Sequence, residues 1–208
     1  VFVQIPQDGI EDASGQWLQM QVAHGLRYIL SCAGPSTKRV VFNRSYGRTT
    51  GPHDGTDPLE EFLSDMVKEF DGTPGKPRLE VVLPAGNSRR SACHVSFTST
   101  QAGTTRWTWR VPPDNSVPVM AEVRVRTNQP VQVTDCTLDP PAPYAGQQWN
   151  RQPFQDSQGW GWVLTIPPTL ADGNGPALHG DWTISLSLAH PGIEVHAYVA
   201  RTDPNMGA

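Results

Sequence analysis

The sequence predicts an α/β segment followed by an all-β domain of jelly-roll or β-sandwich type. Two observations carry this. Up to about residue 90, apolar residues recur at helical spacing between short hydrophobic runs. Beyond it, segments that alternate apolar and polar follow one another between turn signals. The boundary is expected near residue 90, with residues 1–90 as the α/β part, 91–200 as the β domain and 201–208 as a tail or return linker.

The elements follow in order. The opening "VFVQIP" reads as strand-like, and a start inside a strand, without Met, suggests a piece of a longer chain. Trp17, Leu18, Val22, Leu26, Ile29 and Leu30 lie three and four apart, which predicts one apolar face of a helix over 15–33. Ser14 is placed to cap it, and Gly34-Pro35 to stop it. "KRVVFN" reads as a short buried strand ending at Asn43. A Gly-rich polar loop leads to Asp57-Pro58, an N-cap followed by proline in the first turn. Leu59, Phe62, Leu63, Met66, Val67 and Phe70 form the apolar face of that second helix. "GTPGKP" turns the chain into the strand "RLEVVLP". Strand hydrophobicity that is nearly continuous predicts parallel strands buried between helices. After residue 90 the expected strands are "CHVSFTS", "RWTWRV", "AEVRVRT", "VQVTDC", "GWVLTI", "DWTISLSL" and "EVHAYVA". The stretch 139–159 reads as the longest irregular segment, and no helix is expected after Phe70.

Composition excludes several functions. Net charge is −4, and the Arg clusters at 89–90 and 124/126 are too small to neutralise a phosphate backbone, so no nucleic-acid partner is expected. No apolar run approaches the roughly 18 residues of a membrane span, so no membrane partner is expected either. Cys32, Cys93 and Cys136 are far apart and lack CxxC spacing, which argues against a zinc site or a disulfide framework. One disulfide stays open as an alternative to three ordinary thiols.

Chemistry is sought where the first-half strands end, because ligands bind beyond the carboxyl ends of parallel strands. "VVFNRSYG" (40–47) and "VVLPAGNS" (81–88) would open onto one edge. A carboxamide there can donate to an oxyanion. The order V-N-x-S-Y-G and then P-A-G-N resembles the middle of a subtilisin-like serine peptidase. "HDGTDPLEE" narrows the resemblance to a branch near the spore-germination subtilases, bacterial enzymes that carry a jelly-roll insertion after the oxyanion Asn. The resemblance is specific over about residues 14–98 and architectural beyond.

It implies a partial subtilisin-like parallel sheet with helices. Ser45, Tyr46 and Gly47 would line one side of the S1 pocket. Ala85 and Gly86 would form the opposite wall, and Asn87 would complete the oxyanion hole. Arg44 and Pro84 depart from the small or apolar residues more usual in the family. The family's Asp and His would precede the first helix, and its Ser would follow in a Gly-Thr-Ser segment. Neither that segment nor a G-x-S-x-G elbow occurs. The expectation is a fragment that is inactive by itself, cut from a parent that cleaves peptides or proteins, with no cofactor and no metal. The compartment is left open between bacterial cytoplasm and secretion. A fragment of such a sheet would expose apolar surface and self-associate artificially. The rival readings are a carbohydrate- or protein-binding β-sandwich module on an α/β scaffold, and a pseudo-protease.

Other motifs read as structural. His53-Asp54 are adjacent in a loop and poorly placed as base and orienter, so Asp54 and Asp57 are expected to bind backbone donors. Cys93 and His94 should point to opposite faces of a strand. His190, Glu194 and His196 lack a recognised metal spacing. Asn43-Arg44-Ser45 fits a glycosylation pattern but falls at a strand end expected to be buried. "GTPGK" lacks the P-loop spacing. Trp107/Trp109 and Trp160/Trp162 each share a strand face and are expected in the core; exposed, they would form a sugar platform. The β domain is expected to pack on the catalytic part and to rigidify it or guard access to it.

Overall fold

A computed structural model describes residues 1–4, 16–45, 47–86, 90–115, 118–126, 135–144, 149–156, 159–169 and 178–200. Among the described residues the protein is mostly β-sheet with two helices, and it divides into two compact units, Val1–Ser91 and Ala92–Ala208.

In the first unit, α1 (Gln16–Ser31) and α2 (Pro58–Phe70) accompany β1 (Arg39–Asn43) and β2 (Arg78–Val82). The strands pair in parallel, with Val40 beside Leu79 and Asn43 beside Val82. Leu18, Val22 and Leu26 from α1 and Leu59 and Leu63 from α2 pack with Val40, Phe42 and Leu79 into one core. Helical spacing therefore does in the structure what it predicts in the sequence. Ser14 and the Trp17 side chain lie outside the described residues. Asp57 caps α2 by accepting from the Leu59 amide at 3.0 Å, and Pro58 occupies the first turn.

Two expectations are corrected here. Residues Val1–Gln4 form no strand; Val1 and Phe2 are exposed. The β1–β2 sheet is covered on one face only: β1 alternates exposed and buried, and Val41 and Val82 are each about half exposed. The other face also carries Arg39, Arg78 and Glu80, joined in ion pairs, and among the described residues no element covers it.

The second unit contains β3 (His94–Thr98), β4 (Gly103–Val111), β5 (Val119–Arg126), β6 (Asp135–Asp139), β7 (Asn150–Asp156), β8 (Gly159–Ile166), β9 (Gly180–Leu188) and β10 (Glu194–Val199). They form two antiparallel sheets, ordered β3-β10-β5-β8-β7 and β4-β9-β6. Consecutive strands often switch sheets, and the first and last strands are neighbours, an interleaving of jelly-roll kind. The inner residues of both sheets, among them Val123, Leu164, Val195, Trp109, Ile184 and Leu186, form a single core. Trp182, with no exposed surface, sits at its centre, donates its indole N–H to Leu178 O at 3.0 Å, and meets Trp149 edge to face at 4.7 Å.

The irregular reading of 139–159 is overturned in part. β7 lies inside it, pairing with β8 along Asn150–Asp156, and a single 3₁₀ turn spans Ala142–Tyr144. Among the described residues β7 is an edge strand, the position at which a proline such as Pro153 is tolerated. Its polar, mostly exposed sequence lacks the alternation that betrays the other strands.

Three of the four paired tryptophans are core or packed on core: Trp109 and Trp162 are buried, and Trp107 meets Phe97 edge to face. Trp160 is 41% exposed at the start of β8. The described cysteines are all free thiols. No described helix is long and apolar enough to cross a membrane.

Candidate functional site

The carboxyl ends of β1 and β2 emerge side by side. The ladder continues one step past β1, with the Arg44 amide donating to Val82 O at 3.0 Å. Ser45 and Gly47 follow β1, and Ala85 and Gly86 follow β2; all four are exposed. The two loops touch. A Cβ built on Gly47 would lie 3.5 Å from Pro84 Cγ, an ordinary contact distance. Gly86 has φ +78°, the left-handed turn that redirects the chain after the Pro84-Ala85 segment. Tyr46 and Asn87 lie outside the described residues. Of the sequence-predicted site, the structure therefore places Ser45, Gly47, Ala85 and Gly86 at one edge.

The surrounding surface is concave. A cavity of about 330 Å³ opens beside Asn43 and Ser45, floored by Leu18, Val22 and Phe42 and bordered by Val3. A smaller one, about 120 Å³, lies between Gly47, Arg48, His53, Glu60 and Pro84. Asn43 is exposed rather than buried, which removes the steric reason given for setting its glycosylation pattern aside.

The loop that carries Gly47 is held by one carboxylate. Asp57 accepts from Leu59 N of α2, accepts from Gln19 Nε2 of α1 at 3.1 Å, and forms an ion pair with Arg48. Both members of the pair are largely withdrawn from solvent, so the charge is compensated by three donors from three segments. Gly51 lies inside this loop at φ +101°, and a Cβ there would meet Arg48 Nη2 at 2.9 Å. Glycine is thus required twice over, by backbone conformation and by the guanidinium's approach. The sequence identifies Asp57 as a helix cap and backbone acceptor; that it also gathers Arg48 and Gln19 has no sequence signal, since Gln19 is 38 residues away.

The contacts described for His53 and Asp54 are local. His53 Nε2 lies 3.2 Å from Thr49 O, and Asp54 accepts from the Thr56 amide at 3.2 Å and from its hydroxyl at 2.5 Å. Among the described residues no group of three or more His, Cys, Asp or Glu could hold a metal ion.

In the second unit two features stand out. Arg124 is paired with Glu122 and Asp156 on the outer face of the five-stranded sheet. Burial works against its charge, but the two carboxylates more than offset that and push its pKa up. The second feature is a contact between His94 and His196, at 3.1 Å. Sequence reading treats these histidines separately, because only the β3–β10 register brings them together.

No protein-family model matches the chain, and no curated protein matches it. Among solved structures it is similar to the CspB protease of Clostridium perfringens, with a TM-score of 0.60 and 16% sequence identity over 89% of this chain. The chain spans 40% of the length of that structure. At this identity the likeness concerns the fold alone.

Proposed function

We propose that the chain is the central portion of the catalytic domain of a subtilisin-like serine endopeptidase, interrupted after its oxyanion residue by a jelly-roll insertion. Ser45, Tyr46 and Gly47 form one wall of the S1 pocket, Ala85 and Gly86 the other, and Asn87 donates its amide to the oxyanion. One observation carries the reading: two parallel neighbours, β1 and β2, end in register, the ladder continues through the Arg44 amide to Val82 O, and Gly47 approaches the Pro84 ring. A peptide entering that groove would have its carbonyl beside the segment that leads into Asn87. Val41 and Val82, each about half exposed among the described residues on the face that also carries the Arg39–Glu80 and Arg78–Glu80 pairs, support the fragment reading, since parallel strands are ordinarily covered on both sides. The chain supplies no Gly-Thr-Ser nucleophile and hydrolyses nothing alone; peptide cleavage belongs to the parent, with peptide or protein as substrate.

The sugar-platform alternative loses its basis, because Trp109 and Trp162 are buried and Trp160 is left without a buried-face partner at the surface. The deciding experiment is Asn87→Ala in the full-length parent, read with a fluorogenic peptide panel. Turnover should fall about 10²–10³-fold with KM nearly unchanged, the loss known for such a donor in subtilisin itself. Unchanged turnover removes Asn87 from the mechanism. A folded parent that neither cleaves peptides nor reacts with a fluorophosphonate is a pseudo-protease.

A further inference from the structure

His94 opens β3, and His196 lies within β10, 102 residues later. The register sets Tyr198 opposite His94 and Ser96 opposite His196, so the imidazoles are diagonal neighbours on the outer face of the sheet. His94 Nε2 and His196 Nδ1 are 3.1 Å apart. The rings are parallel to within 5°, with centroids 5.3 Å apart. The N···N contact and the nitrogen-to-centre distance of each ring together account for that whole separation. The two rings therefore lie edge to edge in one plane with their nitrogens in line. The opposite nitrogen of His196, Nε2, is 2.8 Å from Glu194 Oε1. A carboxylate there makes Nε2 the donor and leaves the Nδ1 lone pair aimed at His94. Tyr198, buried, lies beneath, its ring parallel to His94 at 4.4 Å and its hydroxyl 3.3 Å from His196 Nδ1.

In-line geometry selects the occupant. A zinc-like ion would sit about 2.0–2.1 Å from each nitrogen, which sets two in-line nitrogens about 4 Å apart. At 3.1 Å there is room for a hydrogen and none for an ion. We propose that His94 and His196 share one proton and act as a latch fastening the entry end of β3 to β10, and that a second proton opens it.

Among the described residues the surrounding charges support one proton and oppose two. Glu194 and the face of the Tyr198 ring hold a single positive charge. On β5, Arg124 stands opposite His196, Arg126 opposite Glu194 and Glu122 opposite Tyr198. Glu122 is engaged by Arg124, which also holds Asp156 of β7. On β3 the companions on this face, Ser96 and Thr98, are neutral. A doubly protonated pair would thus direct two N–H groups at each other next to Arg124. The intact latch binds one proton and the parted rings bind two, so acidification favours parting. β3 is five residues long and, among the described residues, paired only with β10. At its far end Ser99 bonds the Ile193 amide and carbonyl and the Gly192 amide. The entry end keeps the bond from the Val199 amide to Cys93 O, so loosening there is a local opening of the His94 turn of the ladder, close after the Ser91/Ala92 division.

Hydrogen exchange on the full chain tests this at about pH 7.5 and about pH 5, either side of the ordinary histidine value, with intrinsic rates divided out. Protection of the amides at the His94 end of β3 should fall about tenfold or more on acidification relative to β5 and β8. His94→Gln should show equal protection at both pH values. Wild-type protection that does not change, or an equal acid loss in His94→Gln, overturns the latch. So does stoichiometric Zn²⁺ binding that His94→Gln abolishes, because it would replace the shared proton by an ion.

Discussion

Asp57 serves a helix, a loop and a second helix at once, so its replacement should be felt in all three. Asp57→Ala removes a cap worth about 1 kcal/mol and strands the largely buried Arg48 charge, a loss that reaches about 3 kcal/mol or more in total. Asp57→Asn keeps the cap and should cost less; chemical denaturation of the two variants checks the order. Cys136 is a different kind of residue. It is fully buried in the sandwich, and burial pushes its thiol up to about 12. The folded state therefore keeps a proton that the unfolded chain releases near 9. Stability falls as pH rises beyond that point, at up to about 1.4 kcal/mol per pH unit. Cys136→Ala should flatten the decline between pH 8 and about 10.5, measured by urea denaturation. In a thiol-labelling time course the exposed Cys32 should react first and Cys136 only on unfolding. The placement of the candidate residues was only partly legible in the sequence. That Ser45, Gly47, Ala85 and Gly86 fall at one edge follows from where strands end. Contacts such as Arg48–Asp57 and His94–His196 depend on loop closure and strand register, which leave no local pattern.

Among the elements, the two helices are the most legible, since each needs only a spaced apolar stripe and a terminator. The sandwich strands announce themselves by alternation because one face of each meets the shared core. β7 escapes that logic: an edge strand with little to bury has no reason to alternate. It is held by pairing, and by a cross-strand row in which Phe154 covers Gly161 and Arg124 lies 5.0 Å from the Phe154 ring centre. A Cβ on Gly161 would fall 2.3 Å from Phe154 Cζ and 2.7 Å from Val123 O. Gly161→Ala is thus expected to cost about 1–3 kcal/mol by overpacking, and to loosen β7 before the rest of the sheet. Thermal denaturation and exchange of β7 amides measure both. At the core, Trp182→Ala should cost about 3–5 kcal/mol, the range for a buried aromatic truncated to a cavity.

At the scale of the whole molecule, the two units differ in how well each satisfies itself. The second closes a core between two sheets. The first leaves Val41 and Val82 roughly half exposed on a two-stranded parallel sheet, and Leu83 likewise just past its end. Concentration-dependent self-association in sedimentation is the expected outcome, and Val41→Lys combined with Val82→Lys should suppress it. The strand sequences carry this mixture of apolar and charged residues already, since Val41 and Val82 share their face with Arg39, Arg78 and Glu80. The neighbouring of β3 and β10 has a consequence of its own. The Val199 amide donates to Cys93 O at 2.8 Å, so the polypeptide enters and leaves the sandwich at the same place. A module whose two ends nearly coincide can be spliced into a surface turn of a host without prising the host's cut ends apart. Evolution can therefore add or remove some hundred residues there while the flanking backbone keeps its course.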